Sequence, residues 1–144
     1  MVRFRFYKRI AGFIIGTVIM IAGCTNLQAV YDEQAYQQAV SLKVEAKVLM
    51  NKATTSYESH VSEVNELRKE LNKAYEYAKG LPNNQETTRQ WKIMKSPNRN
   101  LLGGFLKRWK QESTLSDGFV EEANELVSEA FAKIIELESG KRES

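Results

Sequence analysis

The sequence is poor in the residues that stabilise small proteins without a large core. Its 144 residues include one cysteine and one histidine. One thiol cannot form a disulfide within the chain, and one histidine with scattered glutamates lacks the ligand count of a zinc or di-iron site. Residues 26 to 79 contain neither glycine nor proline, the residues that most often interrupt a helix. We therefore expect a fold that is stabilised by packing, without a metal, and that contains long helices.

The first residues have no acidic side chain and are typical of an export signal. Four basic residues lie within residues 1 to 9, and an apolar run extends from Ile10 to Gly23. That run is shorter than the roughly 18 to 20 residues with which a helix crosses a bilayer. A basic segment, an apolar segment and small residues in this order predict a secretory signal peptide, for which an uncleaved anchor is the alternative.

The apolar run ends at Ile21-Ala22-Gly23-Cys24, which contains the one cysteine of the chain. This tetrapeptide resembles the lipobox of bacterial lipoproteins, in which an aliphatic residue and two small residues precede a cysteine. The resemblance implies cleavage of residues 1–23 and a covalent lipid on Cys24, and no other cofactor is expected. Since each buried methylene of a lipid contributes about 0.8 kcal/mol to membrane binding, two or three acyl chains hold a protein permanently.

The resemblance also bears on location and charge. In the enterobacterial pattern an Asp directly after the cysteine retains the lipoprotein at the inner membrane, and this chain has Thr25 there. The implied location is the outer membrane, facing the periplasm, with the inner membrane as the alternative. Removing the signal leaves 17 basic and 18 acidic residues. This balance and the export signal disfavour a nucleic-acid partner.

The part of the chain without glycine and proline predicts a long helix. Its apolar residues recur at alternating spacings of four and three, the period of a coiled coil or a helical bundle. The seam consists of Ala46, Met50, Ala53, Tyr57, Val64, Leu67, Leu71, Ala74 and Ala78. We predict one continuous helix over about residues 28–79. The alternative is a break at Thr54-Thr55-Ser56, because three β-hydroxy residues weaken a helix and Thr55 with Glu58 has the spacing of a capping box.

Three shorter helices are expected after this one. Gly80 and Pro82 end the long helix, and we predict helices over about 84–95, 97–112 and 117–139. Ser116 is the expected N-cap of the last helix. The adjacent Gly103 and Gly104 lie inside the second of these helices, where they favour close packing against a neighbouring helix over a recognition loop.

The expected architecture is all-α. A signal-peptide helix precedes the long helix, and the three shorter helices pack back on it as a bundle. The expected boundaries are a signal peptide over 1–23, a lipidated cysteine with a short tether over 24–30, one helical domain over 31–140 and a tail over 141–144. About 121 mature residues are enough for a single core.

Charge is segregated along the mature chain. Residues 87–111 hold seven basic residues and no acidic one, whereas residues 112–144 hold nine acidic and three basic residues. The basic run and a nearby tryptophan form a candidate patch for an anionic partner, which consists of Arg89, Lys92, Lys95, Arg99, Lys107, Arg108, Trp109 and Lys110. Two interpretations are open. The basic residues pair internally with the acidic last helix, or they bind lipid head groups, lipopolysaccharide phosphates or an acidic protein.

Catalysis is not predicted. His60 lies one helical turn from Glu63, but the chain has no nucleophile motif and no glycine-rich phosphate loop. We interpret His60 as a packing residue of the seam that has a hydrogen-bond partner. We therefore expect a protein that is not an enzyme.

These features predict a non-catalytic, membrane-anchored helical module of the cell envelope that binds an envelope protein or an anionic lipid. One alternative is a homo-oligomeric coiled-coil spacer built on the seam. Another is a helical protein that binds a lipid or small molecule in a cavity, lined by Trp91, Phe105, Trp109 and Phe131.

Overall fold

The computed structural model describes residues 29–142, and every regular element in this range is a helix. The elements are α1 (Glu33–Met50), a short 3-10 helix (Tyr57–His60), α2 (Val61–Gly80), α3 (Gln85–Lys95), α4 (Leu102–Glu112) and α5 (Asp117–Gly140). The prediction of an all-α fold is confirmed. The expected signal-peptide helix and the lipobox residues Ile21, Ala22, Gly23 and Cys24 lie outside the described residues.

The prediction of one continuous helix over residues 28–79 is wrong. Helix α1 ends at Met50 and α2 begins at Val61. The backbone carbonyl of Lys52 accepts hydrogen bonds from the amide of Thr55 at 3.0 Å and from its hydroxyl at 2.7 Å, so this turn is closed by i to i+3 bonds rather than by the i to i+4 bond of an α-helix. The alternative, a break at the three β-hydroxy residues, is therefore correct, although Thr55 contacts Lys52 and His60 and makes no recorded bond to Glu58.

Contacts from a distant part of the chain complete this break. The backbone amide of Leu115 donates to the carbonyl of Ala53 at 2.8 Å, and the amide of Tyr57 donates to the carbonyl of Ser113 at 2.8 Å. Backbone groups that leave a helix must find other partners when they are shielded from water. The loop between α4 and α5 supplies those partners, and it thereby stabilises the break.

Helices α1, α2, α3 and α5 pack as a bundle in which α1 and α3 each lie between α2 and α5. Neighbouring helices run antiparallel. Asp32, directly before α1, bonds to Tyr77 near the end of α2, and Lys95 at the end of α3 bonds to Asn72 in the middle of α2. Helix α4 packs against α3 and the 3-10 helix, where Trp109 contacts Tyr57.

The bundle has two ends, which we name the terminal end and the break end. The terminal end is where Asp32, Tyr77, Lys141 and Arg142 lie together, since the bundle's first and last described residues meet there. The break end is formed by residues 51–60 and the loop 113–116. Residues 29–32 therefore enter the bundle at the terminal end, which is also where α2 and α5 finish.

Helix α4 begins at Leu102, five residues later than the predicted start at residue 97, and residues 97–101 form turns. A Cβ atom on Gly103 would collide with the backbone carbonyl of Lys95, and one on Gly104 would collide with that of Arg99. The two glycines thus lie in the first turn of α4, where they let the helix pack against the chain that leaves α3. Close packing is therefore observed, although it is against the end of α3 and the turn after it rather than along a neighbouring helix.

The remaining helix limits follow the sequence closely. Helix α3 differs from its prediction by one residue at its start, and α5 by one residue at its end. The Ser116 hydroxyl accepts a hydrogen bond from the amide of Phe119 at 3.4 Å, as an N-cap does. Local periodicity and capping therefore determine these two elements.

One core runs through the bundle, and the seam predicted from the sequence forms a large part of it. All nine apolar seam residues are buried against the other helices of the same chain. A homo-oligomeric spacer built on that seam would need these side chains on the surface. The seam is already covered within one chain, so it does not support that alternative.

Candidate functional site

The structure divides the predicted basic patch between two surfaces. Its members on α3 lie beside α2, and they are Arg89, Lys92 and Lys95. Its members before and on α4 lie beside α5, and they are Arg99, Lys107 and Arg108. Lys110 is exposed and lines neither surface. Trp109 is fully buried and cannot contact a charged partner, so its assignment to the patch is wrong.

The first surface, the α2–α3 groove, consists of two cavities. One of about 410 Å³ lies between α2 and α3, and one of about 180 Å³ lies where α2 meets the end of α3 and the start of α4. Its five cations are Arg68, Lys79, Arg89, Lys92 and Lys95. Tyr75 lies between two of them, since the Lys95 Nζ is 4.0 Å and the Lys79 Nζ 5.8 Å from its ring centroid. Lys95 also donates to the Asn72 side chain at 2.9 Å. Cation–π contacts of this kind hold the ammonium groups at the groove.

Only part of this positive charge is neutralised. Lys79 pairs with Glu76 at 3.3 Å, and Arg89 pairs with Glu86 on its own helix. Hydrogen bonds from Gln90 and Arg89 hold the pKa of Glu86 below its ordinary value. Within residues 29–142, no carboxylate is within ion-pair distance of the other three cations, which are Arg68, Lys92 and Lys95. The α2–α3 groove therefore keeps a net positive charge.

Sequence reasoning did not include Arg68, Tyr75 and Lys79 in the patch. They lie on α2, inside the predicted seam helix, where their spacings of seven and four place them on one helical face. The sequence therefore places these three residues on one face of α2, but it does not show that α3 packs beside that face.

The second surface, the α4–α5 groove, has a volume of about 520 Å³. Its α4 side carries Lys107 and Arg108, and its α5 side carries Glu122 and Leu126. The floor is aromatic, since Phe105 stacks on Phe119 with the ring centroids 6.0 Å apart and the planes 3° from parallel. This groove combines one basic edge, one acidic edge and an apolar centre.

The basic segment does not pair with the acidic last helix. In the part of the chain that the structure describes, the ion pairs of the patch are Arg89 with Glu86 and Arg108 with Glu112, each within one helix. The contact of Arg108 with α5 is a stacking of its guanidinium 4.1 Å from the Phe119 ring centroid. The interpretation of internal charge pairing with α5 is wrong for these residues, and their charges remain at the surface.

His60 lies at the break end and has hydrogen-bond partners on both ring nitrogens. Its Nδ1 is 2.8 Å from the Glu63 carboxylate, and its Nε2 is 2.9 Å from the Thr55 hydroxyl. Lys52 also bonds to Glu63, and the hydrogen bonds from Lys52 and His60 lower the pKa of that carboxyl. The expectation of a packing residue with a hydrogen-bond partner is confirmed, because the His60 ring also lies 5.5 Å from the Trp109 ring.

The order Thr55, His60, Glu63 has the contacts of a nucleophile, a base and an orienting carboxylate. The hydroxyl proton of Thr55, however, is donated to the carbonyl of Lys52. The backbone carbonyl of Thr55 accepts a hydrogen bond from the Trp109 indole at 3.0 Å. These contacts tie the break to α4. We interpret the three residues as a structural clamp, and the grooves described above are lined by other residues.

The aromatic residues proposed for a ligand cavity belong to the core. Trp91 and Phe131 are buried and make an edge contact with their centroids 5.9 Å apart. Trp109 packs edge-on against Tyr57 at 5.5 Å. Of the four aromatics, Phe105 alone also lines one of the three cavities described above. The packing thus explains these side chains without a bound molecule.

The terminal end ties the first described residues to the last. The Tyr77 hydroxyl donates to both carboxylate oxygens of Asp32 at 3.0 and 3.1 Å, and this bond raises the pKa of Tyr77. Asp32 also caps α1 by accepting from the amide of Ala35 at 2.8 Å. The Arg142 guanidinium lies 4.3 Å from the Tyr31 ring centroid. The point at which residues 29–32 enter the bundle is therefore held by several contacts.

Two further observations concern the described residues as a set. Residues 29–142 contain no cluster of three histidine, cysteine, aspartate or glutamate side chains that could hold a metal ion. None of the helices in this range is both long enough and apolar enough to cross a membrane. Comparison with models of protein families, with curated protein sequences and with solved structures found no significant match.

Proposed function

We propose that the mature chain is a lipid-anchored, non-catalytic module of the bacterial envelope, held by Cys24 at the periplasmic face of the outer membrane. Its α2–α3 groove binds the phosphate-bearing head groups of that same membrane. The observation that carries the proposal is the set of five cations that line this groove. Two of them lie over the Tyr75 ring, and three have no acidic partner among the described residues.

The position of the groove relative to the anchor supports lipid as the partner. Four residues, 25 to 28, separate the lipidated cysteine from Ala29, and the five steps from Cys24 to Ala29 reach at most about 18 Å at full extension. The terminal end is therefore held close to the membrane. The groove starts at that end, since Leu81 and Asn84 line it and Asn84 accepts a hydrogen bond from Lys141 at 2.6 Å.

The residue types in the groove suit a phosphate surface. Arginine matches the geometry of phosphate oxygens with its planar fork, and each cation near an anionic membrane contributes about 1 kcal/mol. Tyrosine is favoured at membrane interfaces because its ring is apolar and its hydroxyl is polar. An acidic envelope protein is the competing partner, and it is distinguished below.

The test uses a chain that starts at Thr25, so that no lipid anchor masks the binding of the groove. This chain keeps all residues of the core, which spans positions 35 to 138. It is mixed with vesicles of phosphatidylglycerol or lipid A, and with vesicles of phosphatidylcholine, and the bound fraction is measured by flotation. We expect binding to the anionic vesicles alone, and weaker binding at about 200 mM salt than at about 50 mM because salt screens the charges.

The charge reversal Arg68→Glu with Lys92→Glu should lower the affinity for anionic vesicles more than tenfold, since two contributions of about 1 kcal/mol are lost. The matched control is Lys47→Glu with Lys110→Glu, which makes the same change of charge at exposed positions outside the groove. Equal binding by both variants would contradict the proposal. Capture of an acidic protein that depends on Arg68 and Lys92, without vesicle binding, would favour the competing partner.

The anchor is tested separately. The mass of the mature chain purified from membranes should correspond to a start at Cys24 with acyl chains attached, and Cys24→Ala should remove the protein from the washed membrane fraction. A mature chain of unmodified mass would contradict the lipid anchor on Cys24. It would not affect the vesicle experiment, because the chain used there has no anchor.

A further inference from the structure

We propose that two copies of this chain associate side by side through the α4–α5 groove, so that the basic edge on α4 of each copy lies against the acidic edge on α5 of the other. This groove is separate from the α2–α3 groove to which lipid binding was assigned. The inference starts from one exposed apolar side chain on its α5 side. Leu126 is 46% exposed.

The environment of Leu126 indicates a covered surface. The buried stripe of α5 includes Ala123 and Val127, whereas Leu126 points outward beside them and lines the groove. The outward positions on either side of it, Glu122 and Glu129, are both acidic and exposed. An apolar side chain between charges is a typical centre for a small interface with a polar rim.

The charges on the two edges are complementary to each other. Arg99, Lys107, Arg108 and Glu112 line the α4 side, where Arg108 pairs with Glu112 at 2.8 Å, and Glu122 lines the α5 side. The α4 side keeps a net positive charge through Arg99 and Lys107. Arg108 already lies over Phe119, one turn before Glu122 on α5, so the basic and acidic groups are at a similar height along the bundle. A groove with this layout has opposite charge on its left and right edges.

A two-fold axis parallel to the bundle exploits that layout. It exchanges left and right and keeps the height of each residue, so α4 of one copy faces α5 of the other. Lys107 and Arg108 then meet the partner's Glu122, and Leu126 meets the partner's Leu126 near the axis. Both copies use the same surface, as an isologous dimer requires.

The parallel arrangement also suits two anchored chains. It places both terminal ends on the same side, where both tethers can reach one membrane, and this step rests on the proposed anchor at Cys24. Confinement to a membrane raises the effective concentration of the second copy, so a modest interface is sufficient. The complementarity of the groove itself does not depend on the anchor.

The chain offers a matched surface for comparison. Val44 and Val48 on α1 are 59% and 55% exposed, and they form a second outward apolar pair. Their neighbours Glu45 and Lys47 alternate in sign, so this face has no acidic and basic edge. It serves as the control position for an exposed apolar residue outside the proposed interface.

The experiment introduces single cysteines into the full chain in cells, because Cys24 is the one natural cysteine. Leu126→Cys and Val48→Cys are compared after treatment with a short bismaleimide, and dimers are resolved by denaturing electrophoresis. Leu126→Cys should give a cross-linked dimer that contains two differently tagged copies, whereas Val48→Cys and the unmodified chain should give none. A dimer with Val48→Cys and not with Leu126→Cys would overturn the proposal, as would cross-linking of Leu126→Cys to a different protein only.

Charge reversal tests the pairing of the edges. In the Leu126→Cys chain, Lys107→Glu with Arg108→Glu should abolish the dimer, and Glu122→Lys should abolish it as well. Co-expression of these two charge variants should restore a mixed dimer. The acidic α4 edge of the first variant then faces the basic α5 edge of the second, and the unchanged acidic α5 edge of the first faces the unchanged basic α4 edge of the second, so both edge pairs are of opposite sign. Restoration is read most simply in the single chain that carries all three changes, where both edges are inverted and complementary again. Failure of that triple variant to recover the dimer, while its helix content is unchanged by circular dichroism, would overturn the proposal.

Whether Cys24 carries lipid is read from the mass of the chain, so failure of the anchor and failure of the dimer are distinguishable.

Discussion

Glu138 is the most unusual residue of the described chain, because its carboxylate is fully buried near the terminal end. Its Oε1 accepts a hydrogen bond from the Lys141 ammonium at 2.6 Å, and its Oε2 has no hydrogen-bond partner among the described residues. Lys141 also donates to Asn84, whose amide donates to the carbonyl of Ala78 at 3.0 Å. One ion pair and one amide thus join the ends of α2 and α5.

Removing the cation should be costly, because the buried carboxylate would lose its ionic partner. We expect Lys141→Met to lower the free energy of unfolding by about 3 to 5 kcal/mol. Replacing both groups, Glu138→Leu with Lys141→Met, should recover most of that loss, since no charge then remains buried. Urea unfolding followed by tryptophan fluorescence measures both variants. A double variant less stable than Lys141→Met would contradict this account.

The sequence did not indicate this pair. Glu138 follows the last apolar positions of α5 and looks like one more acidic residue on a helix rich in them. Its burial depends on how α5 meets the end of α2 and the start of α3, which no local pattern contains. The sequence therefore shows that Glu138 is acidic, but it does not show that its carboxylate is buried.

At the scale of elements, the corner between α3 and α4 depends on the absence of two side chains. A Cβ atom on Gly103 or Gly104 would overlap a backbone carbonyl, which cannot move aside as a flexible side chain can. We expect Gly103→Ala and Gly104→Ala each to destabilise the protein by about 1 to 3 kcal/mol, the usual cost of overpacking.

The control for this corner is Gly118→Ala in the first turn of α5, where an added Cβ atom meets nothing within 4 Å. Alanine favours the helix at such a site, so we expect no loss or a gain of up to about 1 kcal/mol. Chemical unfolding of the three variants gives the comparison. If the changes at Gly103 and Gly118 had the same effect, steric closeness would not be the function of the glycine pair.

The break between α1 and α2 shows that the spacing of apolar residues predicts which residues are buried but not where a helix ends. The seam keeps its spacing from Met50 through Ala53 and Tyr57, and all three side chains are buried in the hairpin as they would be in a coiled coil. The period therefore predicts which residues are buried equally well for one helix or for two. The local weakness at Thr54-Thr55-Ser56 was the correct indication of the break.

At the scale of the whole molecule, the two tryptophans report on different halves of one core. Trp91 lies on α3 and Trp109 on α4, and they are 3% and 0% exposed. Because the buried residues form one cluster from Ala39 to Ile134, we expect the chain to unfold in a single cooperative transition. In each of the variants Trp91→Phe and Trp109→Phe, the midpoint from fluorescence should equal the midpoint from far-ultraviolet circular dichroism. Separate midpoints within one variant would show that the two halves unfold independently.

The whole molecule also decides what the charged segment can do. Sequence alone located the seven basic residues of positions 87–111, and it left open whether they pair with α5. In the fold all but Lys110 divide between two grooves, because α3 lies against α2 while α4 borders α5 on the opposite side of the turn at residues 97–101. Cations from α2 complete the first groove, and acids from α5 complete the second.

The sequence by itself determined the all-helical class, the limits of α3 and α5, the residues of the core seam and the segregation of charge. Each of these depends on neighbours within about one or two helical turns, through periodicity, capping and propensity. Only the tertiary structure decided the break, the late start of α4, the burial of Trp109 and the division of the basic patch. These depend on partners far away in the chain, such as the bond from the Trp109 indole to the carbonyl of Thr55 across 54 residues. Packing brings such groups together, and a local pattern cannot contain them.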